Sequence, residues 1–166
     1  MSARLDPTLA MLRPMTLASL DGVVELELAV YAFPWTRGNF VDSLAAGYTA
    51  WTLNHVDGGL VGYLVAMPGA GEMHLLNFTI APAARRHGHA RRLFAELVRL
   101  CRTRQADRLW LEVRESNDEA REVYRRLGFA PVGRRKGYYP APAGQREDAI
   151  VMSVDVPEGE AGDALD

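Results

Sequence analysis

A run of basic and small residues near the middle of the chain has the composition of a phosphate-binding loop. Its sequence is Arg85-Arg86-His87-Gly88-His89-Ala90. A glycine followed two positions later by a very small residue lets backbone N–H groups converge at the start of a helix, where the helix dipole also favours an anion. Arginine side chains add charge-assisted hydrogen bonds to phosphate. The same residues would also suit an ordinary loop with a helix-start glycine and solvated arginines, so the run alone leaves both interpretations open.

Two further residues have side chains that could move protons. Glu112 is the lone carboxylate in the apolar run 109–113 and shares one face of the strand with Trp110. It could act as a general base, although a strand-end glutamate that faces water is the alternative. Tyr124 has a phenol that can give up a proton, but its position and spacing alone predict a residue packed on the core side of a helix. Cys101 lies on an apolar helix stripe, which favours a core residue over an acyl carrier.

The elements that must position these residues follow from the hydrophobic periodicity. Strands are predicted over residues 11–14, 48–54, 60–67, 72–80, 108–113, 130–135 and 149–155. Helices are predicted from Thr16 to about residue 31, and over residues 36–46, 91–104 and 117–127. The stripe predicted to be buried on the first helix consists of Leu17, Leu20, Val24, Leu28 and Tyr31.

This order of elements indicates an α+β fold with a mostly antiparallel, mixed sheet and helices on both faces. We expect a single domain over residues 1–156, followed by a flexible acidic tail over residues 157–166. A hydrophobic share of 48% with 24% charged residues is typical of a globular protein rather than a disordered one.

The formal charge of −2 hides an uneven distribution. Residues 85–136 carry 14 arginines and one lysine against seven acids, so the remaining residues are strongly acidic. A basic window suggests an anionic partner, which composition alone does not identify. One cysteine excludes an internal disulfide, and the four histidines lack metal-ligand spacing. No apolar run approaches the roughly 20 residues of a membrane span, and no secretory leader is recognisable, so we expect a cytoplasmic protein without a metal.

Taken together, these motifs occur in the order of a known family. The chain resembles the GCN5-related N-acetyltransferase (GNAT) superfamily, whose acetyl-CoA loop is matched by Arg85, Gly88 and Ala90. At the position of Ala90 the family has either glycine or alanine. The similarity is closer still to the RimI-type N-terminal alanine acetyltransferases of ribosomal proteins. The segments that carry it are Ala32-Phe33-Pro34-Trp35, Leu76-Asn77-Phe78-Thr79-Ile80, and residues 109–114, 116–117, 124–129, 138–140 and 146–149.

The resemblance implies a role for each candidate residue. Acetyl-CoA would bind the backbone where one strand splays from its neighbour, at Phe78, Thr79 and Ile80. It would also contact Asn117, itself a natural helix N-cap, and the loop residues Arg85, Arg86, His87, Gly88, His89, Ala90 and Arg91. Glu112 would be the base, directly or through a water molecule, and Tyr124 the acid that protonates the leaving thiolate. The residues expected to flank the peptide N-terminus, with core packing as the alternative, are Phe33, Trp35, Tyr138 and Tyr139.

The implied function is direct transfer of an acetyl group from acetyl-CoA to the N-terminal alanine of a protein. The expected target is small-subunit ribosomal protein eighteen, and we expect a monomer that contacts a protein N-terminus but neither nucleic acid nor membrane. A same-fold alternative acetylates small amines such as a polyamine or an aminoglycoside. A non-catalytic RNA-binding module is the alternative from another class. It would leave Glu112 and Tyr124 without a task, and the sequence lacks interleaved aromatic and basic residues.

Overall fold

The computed structural model describes residues 9–158, which contain seven strands and four α-helices. The strands are β1 (Ala10–Pro14), β2 (Thr49–His55), β3 (Leu60–Pro68), β4 (Glu72–Ile80), β5 (Arg108–Arg114), β6 (Ala130–Pro140) and β7 (Arg146–Asp155). The helices are α1 (Leu20–Val30), α2 (Arg37–Ala45), α3 (His89–Thr103) and α4 (Asp118–Arg126). The strands form one sheet in the order β1-β2-β3-β4-β5-β7-β6.

The sheet is mixed and mostly antiparallel, which confirms the predicted fold class. The pairs β1–β2, β2–β3, β5–β7 and β6–β7 are antiparallel, whereas β4 runs parallel to β5. The parallel ladder joins residues 72–75 to residues 108–111, and both strands continue beyond it, β4 to Ile80 and β5 to Arg114.

The described chain forms two compact units. The first contains residues 9–67 and 77–95, and the second contains residues 68–76 and 96–158. In the first unit, apolar side chains of α1, α2 and β3 form the core, with Leu20, Phe40 and Leu64 fully buried. In the second, Leu109 and Leu111 of β5 are buried with side chains from β4, α3 and β7. The single domain expected over residues 1–156 stays a prediction, and the expected tail lies outside the described residues from residue 159 onward.

The buried face of α1 differs from the predicted stripe. The buried residues are Leu20, Val23 and Glu27, whereas Leu17 and Leu28 are 67% and 61% exposed. Apolar residues occur on more than one side of this helix, so periodicity alone does not select the face that packs. The prediction was right for the buried Leu20, partly right for the half-buried Val24 and Tyr31, and wrong for Leu17 and Leu28. It missed Glu27 because sequence patterns normally assign a glutamate to solvent.

The remaining helix boundaries lie close to the predicted ones. Thr36 caps α2 by accepting a hydrogen bond from the backbone N–H of Asn39, at 3.1 Å. Asn117 caps α4 by accepting one from the N–H of Ala120, also at 3.1 Å. Strand β6 runs five residues past its predicted end, and its pairing with β7 is irregular between Arg135 and Tyr139.

Candidate active site

The predicted phosphate loop lies between β4 and α3 in the first unit. Arg86 and Gly88 have positive φ angles of 67° and 78°, which turn the chain sharply before α3 begins at His89. The carbonyl of Gly88 accepts a hydrogen bond from the N–H of Arg92 at 3.1 Å. The N–H groups of the first helical turn have no acceptor within the helix, so this end of α3 has the chemistry of an anion site.

Side chains of the loop differ in exposure. Arg85, Arg86, His87 and Arg91 are exposed and Ala90 is half-buried, whereas the His89 side chain is buried. The end of β4 is held closely against β3, because a Cβ added at Gly62 would lie 2.4 Å from the carbonyl oxygen of Thr79. The backbone of Thr79 and Ile80 therefore lies directly against β3 at Gly62.

Glu112 lies in the second unit with its side chain only 9% exposed. Its Oε2 is 3.0 Å from Nε2 of His74, and its Oε1 is 3.3 Å from Nε of Arg135. The His74 ring stacks on Trp110, with centroids 3.6 Å apart and planes 10° apart. The alternative of a strand-end glutamate facing water is therefore wrong, because the carboxylate is enclosed and bound by two basic side chains.

Two of the predicted peptide-contacting residues lie beside this carboxylate. Burial raises the pKa of Tyr138, and the charge of Glu112 raises it further. Burial likewise raises the pKa of Tyr139, again with a contribution from Glu112. The two rings meet edge to face at 4.9 Å, and the Arg114 guanidinium lies 4.5 Å from the centre of the Tyr139 ring. The structure thus brings Glu112, Tyr138 and Tyr139 together within one unit.

Tyr124 and Asn117 lie on and before α4 in the same unit. The half-buried Tyr124 ring meets Phe129 at 5.6 Å, and the N–H of Phe129 donates to the carbonyl of Tyr124 at 3.0 Å. Asn117 uses its side-chain oxygen to cap the helix. Tyr124 thus packs on Phe129, and the helix cap predicted at Asn117 is confirmed. The catalytic role of Tyr124 and the cofactor contact of Asn117 remain predictions.

Phe33 and Trp35 lie in the first unit, in the segment between α1 and α2. Phe33 is 42% exposed, which argues against core packing, while the half-buried Trp35 ring packs on Phe40 with centroids 5.1 Å apart.

Sequence reasoning missed three residues that contact the predicted site residues: Glu27, His74 and Arg135. His74 and Arg135 contact Glu112 directly, and Glu27 binds the backbone of Trp35. His74 aligns with Trp110 in the parallel ladder, so the pairing of β4 with β5 could have placed it beside Glu112. Glu27 lies between Leu26 and Leu28, but the exposed Glu25 also has apolar neighbours, so no local signal in the sequence separated the two glutamates.

Comparison with known sequences decides the family. A sequence model of the acetyltransferase (GNAT) family matches residues 20–129. The chain belongs to the GNAT acetyltransferase family. Within this family it is 32% identical over 130 residues to the ribosomal protein bS18-alanine N-acetyltransferase of Haemophilus ducreyi, covering 78% of this chain and 89% of the relative. It is 35% identical over 152 residues to the putative bS18-alanine N-acetyltransferase of Bacillus subtilis, covering 91% and 99%.

Solved structures give the same fold. The crystal structure of the ribosomal-protein-S18-alanine N-acetyltransferase from Escherichia coli matches with a TM-score of 0.81 and 29% identity, covering 92% of this GNAT chain and 97% of that one. Ard1 from Thermoplasma volcanium, at 23% identity and a TM-score of 0.78, shares the fold over 90% of this chain and 99% of its own. No helix within residues 9–158 is both long enough and apolar enough to cross a membrane.

Proposed function

We propose that this GNAT protein transfers the acetyl group of acetyl-CoA to the N-terminal α-amine of a protein, with the N-terminal alanine of bS18 as the target. The observation that carries the proposal is the sequence similarity to bS18-alanine N-acetyltransferases over most of both chains. The enclosed carboxylate of Glu112, bound by His74 and Arg135, supports it with a chemically suitable group.

The start of α3 fits the phosphates of acetyl-CoA. Exposed arginines at 85, 86 and 91 surround N–H groups without intrahelical acceptors, and the left-handed turn at Gly88 leaves the space near its Cα open. The backbone of Phe78–Ile80 would hold the pantetheine arm and the thioester oxygen, and Asn117 would add a cofactor contact. Acetyl-CoA supplies the acetyl group in the activated form of a thioester.

Glu112 is the proposed base. An amine attacks a thioester only when it has lost its proton, and a carboxylate can accept that proton directly or through one water molecule. When His74 carries a proton on Nε2, it donates to Glu112 Oε2 and fixes the orientation of the carboxylate. Oε1 is bound by Arg135, whose side chain is 49% exposed, so this contact is the one that an incoming amine could replace.

Tyr124 is the proposed acid. The departing thiolate of coenzyme A is stabilised when a neighbouring hydroxyl gives it a proton, and a phenol is suited to that step. Tyr138 and Tyr139, whose rings lie near Glu112, are proposed to contact the peptide N-terminus. Phe33 and Trp35 are proposed to do the same.

Steady-state kinetics with three kinds of amine tests the proposal. We expect kcat/KM for an alanine-initiated peptide with the bS18 N-terminal sequence to exceed that for spermidine or an aminoglycoside by at least about 100-fold, which corresponds to about 3 kcal/mol of transition-state binding. A preference for the small amines would favour the same-fold alternative. Salt-sensitive RNA binding without thiol release from acetyl-CoA would favour the RNA-binding module instead.

Mass spectrometry of ribosomal proteins gives an independent test. In a strain that lacks this chain, bS18 should carry a free N-terminal alanine, and the acetylated form should return when the gene is restored. An acetylated bS18 in the deletion strain would contradict the proposed target.

A further inference from the structure

Glu27 is a buried carboxylate that the proposed chemistry does not use. It lies on α1 and is only 2% exposed. Its Oε1 accepts a hydrogen bond from the backbone N–H of Trp35 at 3.1 Å, and its Oε2 accepts one from the hydroxyl of Tyr63. The side-chain amide of Asn77 lies 3.2 Å from each oxygen. A buried carboxylate without hydrogen-bond donors strongly destabilises the folded state. The fold is therefore most stable with Trp35, Tyr63 and Asn77 in the positions where they donate to Glu27.

The hydrogen bonds around Glu27 form a directed chain. Thr79 donates to the side-chain oxygen of Asn77 at 2.8 Å, and its hydroxyl has only that one proton. The hydroxyl of Tyr31, 2.8 Å from Thr79 Oγ1, is therefore the donor in that contact. Burial raises the pKa of both Tyr31 and Tyr63, so each tyrosine keeps its proton and remains a donor.

Aromatic contacts tie the same segment to Glu27 a second time. The Trp35 ring packs on Phe40, and the Phe40 ring meets Tyr63 edge to face at 5.9 Å. Since the hydroxyl of Tyr63 donates to Glu27, the carboxylate holds Trp35 through its backbone directly and through its ring by way of Phe40 and Tyr63.

The two polypeptide segments that meet at Glu27 are held differently. The end of β4 has its own backbone support, because the N–H of Ala81 donates to the carbonyl of Val61 at 2.7 Å and β3 approaches Thr79 closely at Gly62. The segment from residue 31 to residue 36 lies between two helices, and within residues 9–158 its backbone is not paired in any strand ladder. Loss of the Glu27 charge should therefore move this segment and leave β4 in place.

We infer that Glu27 is a positioning residue for the peptide substrate, which it serves by fixing the segment that carries Phe33 and Trp35. This inference rests on the proposed function, in which those two aromatic side chains contact the peptide. Glu27 itself is enclosed and touches neither substrate in this role.

The substitution Glu27→Gln tests the inference, because it keeps the shape but replaces one acceptor oxygen with an NH₂ donor. At least one of the donors around Glu27 then loses its acceptor. We expect KM for the alanine-initiated peptide to rise about tenfold, the size of effect that loss of a hydrogen bond to a buried charge produces. The value of kcat and the calorimetric Kd for acetyl-CoA should stay within about twofold, as expected when only peptide binding is weakened.

The matched control is Glu25→Gln, which makes the same change on the exposed side of α1 and should leave all three constants unaltered. An unchanged peptide KM in folded Glu27→Gln would overturn the inference. A parallel loss of acetyl-CoA affinity would also overturn it, because Glu27 would then support the whole unit rather than the peptide segment.

Hydrogen exchange of the wild-type protein gives a second test that needs no variant. The N–H of Trp35 donates to a buried carboxylate, so it should exchange more slowly than the amides of Ala32 and Phe33. Rapid exchange at Trp35 would overturn the inference even if Glu27→Gln fails to fold. A wild-type protein that acetylates no alanine-initiated peptide would instead refute the proposed function and with it the peptide role of Glu27, while slow exchange would still establish the bond to Trp35.

Discussion

At the scale of single residues, Glu112 combines low exposure with two basic neighbours. Its side chain is 9% exposed, with His74 on one oxygen and Arg135 on the other. The two contacts hold the carboxylate in one orientation. Arg135 is the exposed partner and gives the longer contact, so the carboxylate has one oxygen that a substrate can approach.

The first prediction concerns the proton-transfer pair. Glu112→Gln and Tyr124→Phe should each lower kcat on a saturating alanine-initiated peptide by about 10²-fold or more, the usual contribution of a general base or acid. Two variants serve as matched controls. Glu115→Gln changes a carboxylate three residues after Glu112 that pairs with Arg134, and Tyr48→Phe removes the hydroxyl of another half-buried tyrosine. Wild-type kcat in both test variants would show that the assigned roles are wrong.

The second prediction concerns His74. The substitution His74→Phe retains an aromatic ring for the stack on Trp110 but removes the Nε2 donor to Glu112. A hydrogen bond to a charged group contributes about 1.5–3 kcal/mol, so kcat should fall about tenfold or more while peptide KM changes little. The kinetic constants are measured beside those of Glu112→Gln, and the double variant should lose no more than Glu112→Gln alone. Additive losses would mean that His74 acts independently of Glu112.

At the scale of elements, the sequence predicted best those features that depend on neighbours along the chain. The caps at Thr36 and Asn117, the loop before α3 and the apolar strand around Glu112 all have local signals. The partners of Glu27 are 36 and 50 positions away at Tyr63 and Asn77, and only the packed fold brings them together. For the same reason periodicity did not place Glu27 on the buried face of α1, since the donors that make a buried glutamate tolerable lie outside the helix.

The third prediction tests the turn before α3. Gly88 has a φ of +78°, and the position that a Cβ would occupy is open space, so Gly88→Ala introduces backbone strain rather than a clash. Left-handed backbone costs an L-residue about 1–2 kcal/mol, so thermal stability should fall and KM for acetyl-CoA should rise. Gly38→Ala in α2 is the matched control, because an alanine there lies in a helix and should be neutral or stabilising. Equal effects of the two variants on acetyl-CoA KM would argue against cofactor binding at this turn.

The fourth prediction concerns the acids of β7. Hydrogen bonds from Ser116, assisted by Arg114, lower the pKa of Glu147, and the N–H of Gly137 together with Arg134 lowers that of Asp148. A carboxyl group whose pKa is lower in the folded protein than in the unfolded chain stabilises the fold at any pH above its unfolded pKa. That contribution is lost as the pH falls through its folded pKa.

The ordinary pKa values, which apply to these carboxyl groups in the unfolded chain, are 4.5 for Glu147 and 3.8 for Asp148. The melting temperature should therefore change little through these two acids above pH 5 and should decline below about pH 4. Calorimetry across this range is the measurement, and Asp148→Asn should make the decline shallower. An equally steep decline in Asp148→Asn would show that Asp148 does not contribute.

At the scale of the whole molecule, much of the charge in the basic window is paired with acids. Many of its arginines pair with acids of their own or neighbouring elements, as Arg99 does with Glu96 and as Arg125 and Arg126 do with Glu122. Glu122 shows the strength of this pairing, because the hydrogen bond from Arg125 lowers its pKa to about 2. The loop arginines Arg85, Arg86 and Arg91 are exposed beside the proposed phosphate site. On that proposal, ion pairing and the cofactor site together account for the basic window without a nucleic-acid surface.

The last prediction follows from the acidic charge outside that window, which we expect to attract a basic protein N-terminus. Raising the salt concentration from about 0.01 M to about 1 M shortens the Debye length from about 30 Å to about 3 Å. The value of kcat/KM for a lysine- and arginine-rich alanine-initiated peptide should therefore fall steeply over this range, because the acceleration of encounter is electrostatic. A peptide with the same first residue and uncharged side chains is the control and should respond only weakly. Since both peptides use the same acetyl-CoA site, any effect of salt on the loop arginines is common to them, and equal slopes would refute the attraction.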